Sequence, residues 1–267
     1  MKIGIVGCGW LGDRIASHLV SKDHVVVGTT TSIEKTFRKE GFCKVQFSLG
    51  GESADLPKEL HECDGIIIAF PPSAGKKRVR DYPSMVNQLL EQLHPTIRSI
   101  ILISSTGVYR GCTGEVNEET PVNDVKNLLL GAEKNCTSHY PKITSTLRCG
   151  GLFGDNRIPG KYFADKNLEE DGAALVNYIH FRDICIFIEK IYSKEVQPGR
   201  FNLCCPKHPS KKEVYKVASK KGRFEMARFT ENGKSLKTHL VNSDKFAEAM
   251  GEDLIYHTPL EFDYFTE

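Results

Sequence analysis

The residues best suited to chemistry begin with three glycines near the start of the 267-residue chain. Gly7, Gly9 and Gly12 follow a short apolar run that predicts a strand, and a stretch with helical periodicity comes after them. The first glycine of such a turn allows the bend, the second lets the backbone approach a pyrophosphate, and the third lets helix and strand pack closely. Trp10 and Leu11 lie within this turn, and the helix that follows offers unpaired N-terminal N–H groups to the anion. The pattern predicts a dinucleotide site; a turn that binds nothing, or one for another adenosine ligand such as S-adenosylmethionine, is the alternative.

Thr29 and Thr30 end the second predicted strand, where an enzyme that uses NAD normally has an Asp or Glu for the ribose hydroxyls. Hydroxyl side chains leave room for a 2′-phosphate, and Lys35 or Arg38 could supply a positive charge. The sequence therefore favours NADP as the cofactor, with NAD as the alternative. A simpler interpretation is a capped loop before a helix predicted over Glu34 to Glu40.

A small cluster of potential metal ligands consists of Cys204, Cys205 and His208. Vicinal cysteines lack the two-residue spacing that wraps a tetrahedral ion, and no second cluster completes four ligands, so we predict no metal site. A redox role for a thiol stays open. It would require an exposed thiol with a lowered pKa.

Three further features have simpler structural explanations. The cationic run from Lys76 to Arg80 could hold a substrate phosphate at the sheet edge, although a solvated helix start is the more frequent explanation. Tyr162 and Lys166 form a Tyr-x-x-x-Lys pattern, which recurs by chance among common residue types, so we do not assign them as an acid/base pair. Asp183 is predicted to cap the helix that it begins.

The elements that must position these residues alternate between strand and helix. Continuous apolar strands separated by helices predict a parallel sheet covered on both faces, which is a doubly wound α/β fold. The predicted strands are Lys2–Val6, His24–Gly28, Lys44–Leu49, Gly65–Phe70, Ser99–Ser104 and Ile143–Arg148. The predicted helices are Asp13–Ser21, Glu34–Glu40, Arg78–His94, Lys126–Cys136, Asp183–Ser193, one from Ser210, and Ser243–Met250. We expect residues 1–150 to form the nucleotide-binding core and residues 151–267 a small, dependent substrate lobe, with 173–205 returning to the core.

Composition excludes some classes of binding partner. Lys plus Arg total 36 against 34 Asp plus Glu, so the formal charge of +2 gives no basic excess for nucleic acid. The apolar runs are far shorter than the roughly 20 residues that cross a bilayer, so no membrane partner is expected. Nine scattered cysteines without a framework spacing favour the reducing cytoplasm. We expect a monomer or homodimer that binds a small molecule.

Several motifs follow one another in the order found in extended short-chain dehydrogenase/reductases, the nucleotide-sugar epimerase/dehydratase family. After the glycine turn, Ser104 to Tyr109 resembles that family's Ser-Ser-x-x-Val-Tyr motif, and Asn177 to Asp183 resembles its Asn-x-x-His-x-x-Asp segment. The stretches Phe70-Pro71-Pro72 and Pro159 to Phe163 resemble the atypical, YeeZ-like branch. Further matches are Glu118–Pro121, Leu147–Gly154, Phe201–Leu203 and Cys205–Pro209.

The resemblance implies a Rossmann fold and assigns roles to further residues. Val125 and Leu129 stand where the family has its catalytic Tyr and Lys. Ser105 would therefore hold the substrate oxygen, with capping of the strand end as its alternative role. Tyr109 or water would supply the proton, and packing at the strand end is the simpler role for Tyr109. The remaining cofactor contacts would come from Phe70, Pro71, Ser104 and Gly150. The substrate contacts would come from Arg148, Asn177 and His180, with a purely structural role as the alternative for His180.

These observations predict an NAD(P)-dependent oxidoreductase or isomerase of the epimerase/dehydratase type. Its substrate would be a nucleotide-linked or phosphorylated small molecule. The alternative is a binding protein that senses NADP(H) without turnover, and a weaker one is a flavin-free redox regulator that uses a cysteine.

Overall fold

Strands separated by helices build the large sheet in the computed structural model of the chain. The structure describes residues 1–50, 55–72, 82–122, 124, 127–234 and 239–262. The cationic run from Lys76 to Arg80 and the residues Val125 and Lys126 lie outside these residues.

The described strands are mostly short. They are β1 Lys2–Val6, β2 Val25–Thr30, β3 Phe37–Lys39, β4 Phe42–Gln46, β5 Gly65–Ile68, β6 Ser99–Ser105, β7 Gly114–Val116, β8 Thr144–Cys149, β9 Gly151–Phe153, β10 Asn167–Glu170, β11 Tyr178–His180, β12 Arg200–Leu203, β13 Arg228–Lys234 and β14 His239–Val241. The helices are α1 Trp10–Val20, α2 Lys58–His61, α3 Tyr82–Glu91, α4 Leu128–His139, α5 Phe181–Tyr192, α6 Lys211–Gly222 and α7 Asp244–Met250. Within the described residues, no helix has the length and apolar character needed to span a membrane.

The large sheet has the strand order β12-β8-β6-β5-β1-β2-β4-β3. The pairs β1–β2, β1–β5, β2–β4 and β5–β6 are parallel, and β3 is antiparallel to β4 at the edge. Every residue of β5 is buried, as expected for a strand covered on both faces. The predicted Rossmann-type, doubly wound α/β fold is therefore confirmed.

The chain divides into two compact units. The first comprises Met1–Val108, Val122–Arg148 and Ile188–Arg200, and the second comprises Tyr109–Pro121, Cys149–Phe187 and Phe201–Glu267. The apolar core of the first unit includes Ile66 and Ile100 from the sheet, Leu89 from α3 and Cys136 from α4. The predicted boundary at residue 150 stays a prediction.

Among its described residues, the second unit contains three two-stranded parallel sheets, β10–β13, β9–β11 and β7–β14. Phe153, Cys205 and Phe262 belong to one of its apolar clusters. The helix predicted from Ser210 is confirmed as α6, and a capping box starts it: Ser210 Oγ accepts the Glu213 N–H at 3.2 Å, and Glu213 Oε2 accepts the Ser210 N–H at 2.8 Å.

The helix predicted over Glu34 to Glu40 is wrong. The structure has a short 3₁₀ turn at Ile33–Lys35 and then β3, which forms a hairpin with β4. A two-residue loop joins these strands, and Gly41, its second residue, has a positive φ of +73°, which glycine adopts without strain. The glycine between two phenylalanines, Phe37 and Phe42, was the sequence signal for a hairpin.

Candidate functional site

The glycine turn after β1 is hydrogen-bonded to the end of β2. The Gly7 N–H donates to Thr29 Oγ1 at 3.0 Å, and the Cys8 N–H donates to the Thr29 carbonyl oxygen at 2.8 Å. Gly7 has a φ of +94°, and a Cβ built there would lie 2.5 Å from the backbone nitrogen of Phe70. The turn therefore admits no side chain at position 7.

The surroundings of Gly9 and Gly12 differ. A Cβ at Gly12 would lie 2.9 Å from the carbonyl oxygen of Gly7, so the third glycine allows the helix to approach the turn. Gly9 is exposed, and a Cβ there would meet no described atom within 4 Å. Gly9 is also the N-cap of α1, so the first-turn N–H groups, at Trp10 and Leu11, open beside this space.

A cavity of about 70 Å³ adjoins this turn at the carboxyl ends of β1, β2 and β4. It brings together the predicted residues Gly7, Thr29, Thr30 and Phe70. The cavity is also lined by residues that the sequence analysis did not assign to a site: Val6, Thr31, Phe47, Ser48, Leu49 and Met85. The alternating apolar pattern of residues 44–49 was the signal for Phe47 and Leu49.

The described lining of the cavity contains hydroxyls and no carboxylate. Thr29 is bonded to the glycine turn, and Thr30 Oγ1 accepts the N–H of Ser32 at 3.2 Å. Of the two cations considered for a 2′-phosphate, Arg38 is ion-paired with Glu59, whereas Lys35 is exposed.

Phe70 forms part of the cavity wall. Its ring is buried and meets the ring of Tyr82 edge to face, with centroids 5.4 Å apart. Pro71, the next residue, is exposed.

Ser104 and Arg148, predicted to contact cofactor and substrate, belong to a buried network in the first unit. Ser104 Oγ donates to Glu133 Oε1 at 2.6 Å. Arg148 donates to the same carboxylate from Nε at 3.0 Å and from a terminal nitrogen at 2.7 Å. All three side chains are buried, so the network joins β6, α4 and β8 from within.

Ser105 ends β6, and its Oγ accepts the N–H of Gly107 at 3.1 Å. This bond leaves the hydroxyl hydrogen of Ser105 available to a ligand. Leu129, which the sequence motifs predict at the family's lysine position, is half-buried and packs against the core of the first unit.

Tyr109 lies in the second unit and is completely buried. Its hydroxyl is 2.8 Å from the carbonyl oxygen of Asn117 and 2.8 Å from Oδ1 of Asn202. The backbone N–H of Asn202 donates to the buried Glu118 carboxylate at 2.7 Å. This setting holds the β12 segment to the segment that follows β7.

The other predicted residues of the second unit also make backbone contacts. The side-chain amide of Asn177 donates to the His239 carbonyl and accepts the Val241 N–H, both at 3.0 Å, and so brackets β14. A Cβ at Gly150 would lie 2.5 Å from the Asn177 carbonyl oxygen. His180 is buried, and its Nδ1 accepts the N–H of Arg182 at 3.1 Å.

The predicted N-cap role of Asp183 is wrong, because α5 begins two residues earlier, at Phe181. The buried carboxylate instead accepts the N–H groups of Ile255 at 2.9 Å and Tyr256 at 3.4 Å. Desolvation raises the pKa of Asp183 to about 6.

This raised pKa predicts a pH dependence of stability. Between the ordinary Asp pKa and about 6, the folded state binds more protons than the unfolded state, so stability falls as the pH rises through this window. We expect the free energy of unfolding of wild type, relative to Asp183→Asn, to rise by about 1 kcal/mol between pH 7 and pH 5. Urea denaturation of both proteins at the two pH values tests this; equal pH responses would contradict it.

The cysteine cluster and the Tyr-x-x-x-Lys pattern have structural settings. Cys204 and Cys205 are buried, and desolvation raises the pKa of both thiols, which makes them poor nucleophiles. The described residues hold no group of three His, Cys, Asp or Glu side chains placed to bind a metal. Tyr162 is 79% exposed, and Lys166 Nζ lies 4.3 Å from its ring centroid.

A parallel sheet whose first turn is the glycine turn, with a cavity at the carboxyl ends of its strands, defines a Rossmann-type nucleotide-binding fold. Protein YeeZ of Escherichia coli K12 is 29% identical to the chain over 269 residues, covering 97% of each. No protein-family model matches the chain.

Solved structures share the fold at low sequence identity. MoeE5 in complex with UDP-glucose and NAD has a TM-score of 0.76 and 15% identity, covering 94% of this chain and 92% of that one. UDP-glucuronic acid 4-epimerase from Bacillus cereus, in complex with UDP-glucuronic acid and NAD, has a TM-score of 0.75 and 18% identity, covering 93% and 92%. A functionally unknown protein from Silicibacter pomeroyi has a TM-score of 0.72 and 17% identity, covering 97% and 95%. The predicted resemblance to YeeZ is confirmed at the level of sequence, and the similarity to these solved structures confirms the fold.

Proposed function

We propose that the chain binds a nicotinamide dinucleotide, with the pyrophosphate at the turn from Gly7 to Gly12 and the adenosine half in the adjoining cavity. The observation that carries this proposal is the contrast between two glycines. Position 7 must be glycine because Phe70 fills the space of a side chain, whereas described protein atoms leave the space beside Gly9 open. A glycine that the protein's own packing does not require is explained by a ligand that approaches the backbone there.

NADP is the proposed preference over NAD. The described cavity lining carries hydroxyls without a carboxylate, and Lys35 is exposed beyond the end of β2. A 2′-phosphate would meet no negative charge in that lining, and a lysine is close in sequence to pair with it. The two similar structures that are cofactor complexes contain NAD. Measuring the affinity of this chain for NADP and for NAD decides which cofactor it prefers.

The proposed activity is that of an oxidoreductase or isomerase on a nucleotide-linked or phosphorylated small molecule. The bound nicotinamide would supply hydride transfer. Ser105 has its hydroxyl hydrogen available and would hold the substrate oxygen. Two similar structures are complexes with UDP-glucose and UDP-glucuronic acid, which supports a nucleotide-linked substrate.

A second candidate function is NADP(H) binding without turnover. The buried hydroxyl of Tyr109 favours it, because that hydroxyl is hydrogen-bonded within the protein, to Asn117 and Asn202. A tyrosine that holds two segments together is unsuited to exchange a proton with a substrate.

Replacing Gly9 by aspartate is expected to weaken dinucleotide binding by roughly 100-fold, because a carboxylate would occupy the open space and repel the pyrophosphate. Calorimetric titration with NADPH, NADH and S-adenosylmethionine measures the effect. Ser17→Asp is the matched control, since Ser17 is exposed on the same helix two turns further on. Unchanged affinity in Gly9→Asp would move the site elsewhere, and a wild type that binds neither dinucleotide would end both candidate functions.

Turnover then separates the two candidates. Nicotinamide absorbance is followed across a panel of nucleotide sugars and carbonyl compounds, and Ser105→Ala should abolish any turnover while it leaves the cofactor Kd unchanged. Tight cofactor binding with inertness across the panel would support the non-catalytic candidate.

A further inference from the structure

A buried lysine lies beside the glycine turn. Lys44 on β4 is 7% exposed, and its ammonium donates to Asp13 Oδ1 at 2.5 Å. The hairpin covers it, with Nζ 5.6 Å from the ring centroid of Phe37 and 6.0 Å from that of Phe42. Burying an ammonium is costly, so a lysine in this position indicates a need for its charge.

The path of this side chain depends on the strand next to it. Lys44 is paired with Gly28 of β2, so both positions face the same side of the sheet. A Cβ at Gly28 would lie 2.7 Å from Sγ of Cys8. Cys8 Sγ in turn donates to Asp13 Oδ1 at 3.2 Å, and burial raises the pKa of this thiol, which keeps it a neutral donor. The lysine and the thiol therefore converge on one carboxylate oxygen.

Asp13 places a negative charge next to the glycine turn. It directly follows Gly12 in the first turn of α1, and its N–H donates to the Gly9 carbonyl at 2.8 Å. Its side chain is 46% exposed, so the field of the carboxylate reaches the space beside the glycine turn. A negative charge there suits the helix dipole but repels an incoming pyrophosphate.

We propose that Lys44 is a positioning residue for the dinucleotide: it neutralises Asp13 and thereby keeps the glycine turn able to accept an anion. This inference rests on the proposed function. In the described part of the chain, Lys44 is the cation ion-paired with Asp13, and Arg14 next to it donates instead to the Trp10 carbonyl. Lys44 acts through Asp13, so its effect concerns the pyrophosphate and is the same for NAD and NADP.

A double-mutant cycle tests the inference. Calorimetric Kd values for NADH, NADPH and ADP-ribose are measured on wild type, Lys44→Met, Asp13→Asn and the double variant. Lys44→Met should weaken all three ligands about tenfold, because each carries the pyrophosphate. Asp13→Asn should stay within about threefold of wild type, and adding it to Lys44→Met should restore affinity to the same range. Lys22→Met, at the other end of α1, is the control and should change nothing.

Several outcomes would overturn the inference. If the double variant binds the ligands as weakly as Lys44→Met does, the lysine acts by packing or by direct contact with the ligand. If only NADPH binds more weakly to Lys44→Met, the lysine contacts the 2′-phosphate. If Lys44→Met fails to fold by circular dichroism, Lys44→Arg keeps the charge and should keep the affinity; loss of binding in that folded variant refutes charge neutralisation. Unchanged binding in Lys44→Met refutes this inference alone, whereas a wild type that binds no dinucleotide refutes the proposed function.

Discussion

Glu133→Ala is expected to lower the free energy of unfolding by about 3 to 5 kcal/mol, because it leaves the Arg148 guanidinium buried without its counter-charge. The carboxylate of Glu133 accepts hydrogen bonds from two nitrogens of Arg148, at 3.0 and 2.7 Å, and from the hydroxyl of Ser104 at 2.6 Å. Removing this carboxylate takes away the hydrogen-bond acceptor of both a buried cation and a buried hydroxyl. Urea denaturation followed by far-UV circular dichroism measures the loss.

Two comparisons isolate the cause. The double variant Glu133→Gln/Arg148→Met removes both charges and should recover most of the stability, because the cost comes from the unpaired charge. Glu195→Ala removes an ion pair with Lys190 in which Glu195 is 58% exposed, and it should cost at most about 1 kcal/mol. A cost of Glu133→Ala as small as that of Glu195→Ala would contradict a stabilising role for the buried network.

This network shows where sequence reasoning stops. Ser104 and Arg148 were assigned to cofactor and substrate by their place in motifs, while both side chains turn inward to Glu133. A motif gives the position of a residue on its strand, but the direction of its hydrogen bonds depends on which helix packs there. The same holds for Tyr109, whose partner Asn202 is 93 residues away in sequence.

Local features were predicted more reliably. β1 has the predicted bounds, and the glycine turn follows it, because both depend on residues adjacent in sequence. The pairing of Lys44 with Asp13 depends on the register of β4 against β2 and on the empty position at Gly28, and neither is readable from one sequence. The hairpin at Phe37 was missed because the two-residue loop that joins its strands is a weak signal, and its first strand lies inside the span predicted as a helix.

Gly7→Ala is expected to destabilise the protein by about 2 to 4 kcal/mol, through two separable costs. Gly7 has a φ of +94°, which strains any residue with a Cβ, and that Cβ would lie 2.5 Å from the backbone nitrogen of Phe70. Backbone cannot move aside as a flexible side chain can, so the turn itself must shift. Urea denaturation measures the loss.

Gly111→Ala separates the two costs, because Gly111 has nearly the same φ, +93°, with no described atom within 4 Å of its Cβ position. We expect it to cost only the strain, about 1 to 2 kcal/mol, so the remainder at Gly7 measures the contact with Phe70. Gly9→Ala has neither cost and should leave stability nearly unchanged while it weakens dinucleotide binding. Equal losses at Gly7 and Gly111 would show that Phe70 does not constrain the turn. If instead Gly9→Ala binds dinucleotides as tightly as wild type, the open space beside Gly9 does not receive the pyrophosphate.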